Sequence, residues 1–135
     1  MRKFLIASHY TMADGLKDTV RFFTGAENLD SISAYVDGTA LADQIAQWTA
    51  GLEPGDEAVI FTDIMGGSVN QALTALASDK VHVITGMNLP LVVELVLAPQ
   101  DQPLDPEQIA KTVEGARSQL VYMNQTKADV DEEDE

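Results

Sequence analysis

Four times in succession, a short run of apolar or alternating residues gives way to a segment whose apolar positions recur at helical spacing, and this alternation constrains the fold more than any other feature. Phe4-Leu5-Ile6-Ala7-Ser8-His9 reads as a first strand, and Leu16, Val20 and Phe23 then recur on one helical face from about Ala13 until Gly25. Residues 31–36 alternate as a half-exposed strand does, and Leu41, Ile45, Trp48 and Leu52 mark the second helix. Residues 58–62 are almost wholly apolar, the pattern of a central strand covered on both faces, and Val69, Ala72, Leu73 and Leu76 follow from about Ser68. Residues 81–86 form the fourth strand, and residues 89–97 a short buried helix with Pro90 in its first turn. Repeated β-then-α units imply an α/β fold: an open, mostly parallel sheet with helices on both faces, here in the order 2-1-3-4. Asp105-Pro106-Glu107-Gln108 opens a last helix as N-cap, first-turn proline and capping-box partner, with Ile109, Val113, Ala116 and Leu120 on its inner side. Leu120-Val121-Tyr122-Met123 is left over as a candidate extra edge strand.

A chain of 135 residues that is 45% hydrophobic is enough for one compact domain, which we expect over residues 1–125. The net charge is −14; Asp129, Asp131, Glu132, Glu133, Asp134 and Glu135 supply six of these charges, leaving −8 on the rest. Residues 126–135 therefore read as a solvated, disordered acidic tail. So acidic a body repels phosphate backbones, which argues against nucleic acid and favours a partner with a basic face. The absence of cysteine excludes disulfides and thiol chemistry and fits a reducing compartment. Met1-Arg2-Lys3 has the basic lead of a signal peptide, but Ser8-His9-Tyr10 ends the apolar run too early, and residues 89–98 are too short and too broken by Pro90 and Glu94 to span a bilayer. A cytoplasmic protein without membrane insertion is expected.

The chemistry concentrates at two strand ends. Ligands of open α/β sheets bind beyond the carboxyl ends of the strands where the winding reverses, and in a 2-1-3-4 order strands one and three flank that point. His9 leaves the first strand and Asp63 the third. A carboxylate bonded to one ring nitrogen fixes the imidazole tautomer and frees the other nitrogen to attack phosphorus. The following Gly66-Gly67-Ser68, running into a helix, offers amides and a hydroxyl to an anion. Each piece alone has a plainer explanation: a lone histidine is most often a polar loop residue, a strand-end aspartate a loop cap, and a Gly-Gly pair a tight turn without the Walker lysine. His82, inside a strand, reads as structural. No histidine or cysteine has ligand spacing with His9, so neither a metal nor a cofactor is expected. A receiver domain phosphorylated on Asp63 would need an acidic pair after the first strand, where Ala7-Ser8-His9 stands, and a flavin module would need a Ser/Thr/Gly-rich first loop.

Three ordered motifs carry a resemblance. Ser8-His9 with Met12-Ala13-Asp14-Gly15-Leu16 and Phe23-Thr24-Gly25, the stretch from Phe61-Thr62-Asp63 through Gly66-Gly67-Ser68 to Ala72, and Gly86-Met87-Asn88-Leu89-Pro90 resemble mannose-type EIIA domains of the bacterial phosphoenolpyruvate-dependent sugar phosphotransferase system. The resemblance implies that His9 accepts a phosphoryl group from phospho-HPr and passes it to a histidine of an EIIB partner, with Asp63 bonded to the imidazole and with Ser68 and the amides around Gly67 holding the phosphate. It also implies a homodimer that exchanges a C-terminal strand, for which residues 120–123 are the candidate. Dihydroxyacetone kinase phosphotransfer subunits are related, but Gly66-Gly67-Ser68 and Asn88-Leu89-Pro90 fit the mannose type better. A non-transporting regulator of the same fold would use the same chemistry at His9. The chain departs from the family pattern at Tyr10, where a small residue is usual, and at Val69-Asn70, where a proline and an aromatic are usual.

Overall fold

A computed structural model describes residues 1–126, and these fall into two compact units, the first ending at Pro103 and the second opening at Leu104. The first unit holds β1 (Arg2–His9), α1 (Met12–Thr24), β2 (Leu29–Ala34), α2 (Leu41–Ala50), β3 (Glu57–Thr62), α3 (Ser68–Thr74), β4 (Val81–Thr85) and α4 (Leu89–Val96). Its four strands are all parallel, as the succession of β-then-α patterns predicts, and lie in the expected order β2-β1-β3-β4.

Strand residues alternate between the two faces. Leu5, Ala7, Ile32, Ala34 and Ile60 meet Val69 and Leu73 of α3, with Leu41, Ile45 and Trp48 of α2 packed against them. Phe4 and Phe61 stack with ring centroids 6.4 Å apart, and α1 and α4 pack together, burying Val20, Leu91, Val92 and Leu95. Phe4, Leu5, Ile6, Val59, Ile60 and Phe61 are wholly buried, so β1 and β3 form the two-sided core that the apolar run of β3 foretells. Each such side chain contributes about 1.5–3 kcal/mol relative to exposure.

Helix boundaries follow local chemistry. Gly25 ends α1 with φ 69°, its N–H returning to the Arg21 carbonyl. Asn88 caps α4 by accepting from the Leu91 N–H at 3.0 Å, with Pro90 in the first turn. β2 begins and ends two residues before the alternation suggests, because Tyr35 takes φ 66° and cannot continue a strand.

The second unit contains α5 (Pro106–Arg117), capped by Asp105, which accepts from the Glu107 N–H at 3.1 Å. Residues 120–122 join no strand of this chain, and residues 123–126 form a helical turn. Leu120, Val121, Tyr122 and Met123 are all exposed. The acidic residues from Asp129 onward lie outside the described residues.

Candidate functional site

The parallel register pairs Ala7 of β1 with Thr62 of β3, which sets the next residues of both strands, through His9 and Asp63, on the same carboxyl-end rim. The two side chains meet. Asp63 Oδ2 lies 2.8 Å from His9 Nδ1 and also accepts the His9 backbone N–H at 2.7 Å, while Oδ1 accepts the Ile64 N–H at 2.9 Å. The Asp63 side chain is 8% exposed and that of His9 39%. The carboxylate is thus enclosed and the imidazole open to a visitor.

Burial acts to raise the Asp63 carboxyl pKa, but the hydrogen bonds from the His9 backbone and imidazole, the Ile64 amide and the attraction of the ring outweigh it and hold the carboxyl below its ordinary value. An ionised carboxylate only accepts, so Nδ1 carries a ring proton, and in the neutral imidazole Nε2 presents its lone pair. Nε2 faces the Ser68 hydroxyl at 3.3 Å. The same enclosure bears on the receiver alternative, since both Asp63 oxygens are already committed.

The glycine loop does something other than expected. Gly66, with φ 80°, donates its N–H to Asn70 Oδ1 at 3.0 Å, and Gly67 donates to the Ile64 carbonyl at 3.1 Å. These two amides are therefore engaged within the loop. The hydroxyl of Ser68 is the donor next to Nε2, at the start of α3, whose first N–H groups have no acceptor inside the helix. Gly67 acts by its smallness: a Cβ there would stand 3.2 Å from His9 Cε1 and 3.3 Å from the Ile64 carbonyl oxygen.

Several contributors escaped the sequence reading. Ser8 Oγ, fully buried, accepts from the Ala13 N–H at 2.7 Å and donates to the Tyr10 carbonyl at 3.2 Å, tying the turn after His9 to the start of α1. Asn70 Nδ2 donates to Thr62 Oγ1 at 3.0 Å, and Gln71 Nε2 to the Gly66 carbonyl at 2.6 Å, so the loop is braced from α3. Asn70, a departure from the family pattern, is thereby an anchor for Gly66. Tyr35, counted only as a strand residue, places its ring 5.5 Å from that of His9 and its hydroxyl 2.7 Å from Ser68 Oγ. An amide-bearing pair one turn after Gly-Gly was the available signal for Asn70 and Gln71; Tyr35 offered none.

Residues 3–113 match the EIIA-man family, described as the PTS system fructose IIA component. The mannose-specific EIIAB component of Escherichia coli K12 is 31% identical over 118 residues, which is 84% of this chain and 36% of that protein, so the chain spans about a third of the relative's length. A Klebsiella pneumoniae structure described as a phosphoenolpyruvate-dependent sugar phosphotransferase system permease is similar with a TM-score of 0.83 and 31% identity, covering 93% of each chain. The PTS IIA protein associated with the fucose utilization operon of Streptococcus pneumoniae is similar with a TM-score of 0.74 and 28% identity, over 93% of this chain and 95% of that one. With one family matched along residues 3–113, in a fold whose three sequence motifs converge on a single rim, this chain belongs to the EIIA family of mannose and fructose type of the sugar phosphotransferase system.

Proposed function

We propose that the protein is a phosphocarrier in which His9 accepts a phosphoryl group from phospho-HPr and passes it to a histidine of an EIIB partner. The observation that carries this reading is the 2.8 Å contact of Nδ1 with an ionised, enclosed carboxylate, which leaves Nε2 at an open rim with only a long contact to Ser68. In the forward step the Nε2 lone pair forms a bond to phosphorus as the N–P bond of phospho-HPr breaks, and the HPr imidazole recovers its electron pair. The proton stays on Nδ1. The loaded ring then carries positive charge, which Asp63 stabilises through the same hydrogen bond. The Ser68 hydroxyl and the first amides of α3 receive the phosphoryl oxygens, while Gly66 and Gly67 shape the loop that brings them close. The EIIB step is the same exchange in the other direction.

The acidic surface supports docking to a basic face of HPr through electrostatic complementarity. No helix among the described residues is long and apolar enough to cross a membrane, and a cytoplasmic location with a phosphocarrier domain over residues 1–125 is part of the reading. So is a homodimer that exchanges residues 120–123, whose side chains stand exposed here.

Incubation with phosphoenolpyruvate, enzyme I and HPr tests the reading. Acid-labile, base-stable label is expected on the wild type and absent from His9→Ala. Label of equal amount on His9→Ala would move the site elsewhere.

A further inference from the structure

Tyr35 touches both His9 and Ser68, and the transfer step leaves it without a task. It follows the last residue of β2, Ala34, which is in register with His9. Its φ of 66° is a left-handed conformation that a residue with a Cβ rarely adopts, and this turn accompanies a ring seated beside the imidazole, with planes 41° apart. The direction of each hydrogen bond is fixed from Asp63 outward. Nδ1 donates to the carboxylate, so in the neutral imidazole that attacks phosphorus Nε2 accepts; the Ser68 hydroxyl then donates to Nε2, and Ser68 Oγ accepts from the Tyr35 hydroxyl.

The two bonds of Ser68 are unequal. At 2.7 Å the bond from Tyr35 is of full strength, whereas the 3.3 Å contact with Nε2 is long for a hydroxyl donor. Ser68 is held by the tyrosine and only lightly engaged by the histidine. We propose that Tyr35 is a positioning residue for phosphoryl transfer, its hydroxyl fixing the Ser68 oxygen so that only the serine proton swings from Nε2 to a phosphoryl oxygen when His9 is loaded. Freeing the lone pair then requires rotation of one hydroxyl instead of movement of the loop. Donation from Tyr35 also polarises the serine O–H toward the phosphoryl group. This inference rests on the phosphocarrier reading.

Tyr35→Phe keeps the ring and removes the hydroxyl. In single-turnover transfer from phospho-HPr, the rate at saturating HPr should fall about 3- to 10-fold, the worth of one neutral hydrogen bond, with the half-saturating HPr concentration unchanged. Ser68→Ala should show at least this loss, and adding Tyr35→Phe to it should change nothing further. In the unloaded protein the 15N resonance of His9 Nε2 should shift in Tyr35→Phe, a response that a purely structural role elsewhere would not give. A wild-type rate in Tyr35→Phe, full additivity with Ser68→Ala, a change confined to half-saturation, or an unmoved Nε2 resonance would each overturn the proposal. Wild-type protein that takes no label would instead overturn the phosphocarrier reading itself.

Discussion

β1 and β3 carry an acid–base pair at each end, and the two pairs have opposite characters. At the amino end, Arg2 and Glu57 are register partners; Arg2 Nε donates to Glu57 Oε1 at 2.9 Å, and its other nitrogens donate to the carbonyls of Ala98, Pro99 and Gln102. Arg2 is 4% exposed and His82 closes the other side, Nε2 lying 3.5 Å from Glu57 Oε2. At the carboxyl end, His9 and Asp63 are equally close, but the imidazole is open and its second nitrogen is only weakly engaged. A buried charge pair tied to strand and loop fastens them together; one with a lightly engaged nitrogen at the rim can exchange a group.

The largest expected effect tests the open end. Asp63→Asn removes the charge that stabilises the loaded ring and replaces one of two accepting oxygens by an NH2 group, so that either His9 or the Ile64 N–H then faces a donor. Transfer to and from His9 should slow by up to about 10⁴-fold, the loss known for replacing a histidine-orienting aspartate by asparagine in a catalytic triad, with circular dichroism and cooperative unfolding retained. Unfolding of this variant would make the carboxylate chiefly structural. Stability should respond as well. The folded Asp63 carboxyl lies below its unfolded value, so the folded chain binds fewer protons in that window and stability rises with pH through it. The contribution is complete above the unfolded pKa and lost as pH falls through the lowered folded one. Asp37 and Asp56 are also held low, chiefly by the Thr39 and Glu53 amides, so the difference between wild type and Asp63→Asn isolates the pair.

The closed end should behave conversely. Arg2→Met takes the guanidinium from beside Glu57 and this donor from three carbonyls, and should cost about 3–5 kcal/mol in urea unfolding. Transfer at His9, measured where the variant is still folded, should stay within about twofold of wild type. A large rate loss in the folded variant would mean that the two ends are coupled through the strands.

What could be read in the sequence divides along similar lines. The strands and the rim that carries His9 and Asp63 were legible because period and β-then-α alternation lie within short segments, and the 2-1-3-4 order common to doubly wound sheets then sets the two strand ends side by side. The end of β2 was misplaced because the alternation runs on through Tyr35 while the backbone turns left-handed there. Engagement of the Gly66 and Gly67 amides was illegible for another reason: it depends on Asn70 and the Ile64 carbonyl folding back on the loop. Likewise, no local pattern announces that the hydroxyl of Tyr35 reaches Ser68 across 33 residues.

Gly67→Ala probes the open end most finely. Its φ of −69° and ψ of 167° suit any residue, so the backbone admits alanine without strain. The obstacle is His9 Cε1, 3.2 Å from the new Cβ, with the Ile64 carbonyl at 3.3 Å on the other side. The ring must give by a few tenths of an ångström, against a hydrogen bond to Asp63 that fixes its position. Since a 1 Å misplacement costs about 100-fold, this smaller shift should slow transfer by about 10-fold, with a stability loss of about 1 kcal/mol. Part of that loss is the weaker N-cap preference of alanine, which is independent of the histidine. The His9→Ala background separates the two, because there the Cε1 contact is gone: Gly67→Ala should then cost at least about 0.5 kcal/mol less. Equal costs in both backgrounds would show that the loop, and not the imidazole, sets the space available at position 67.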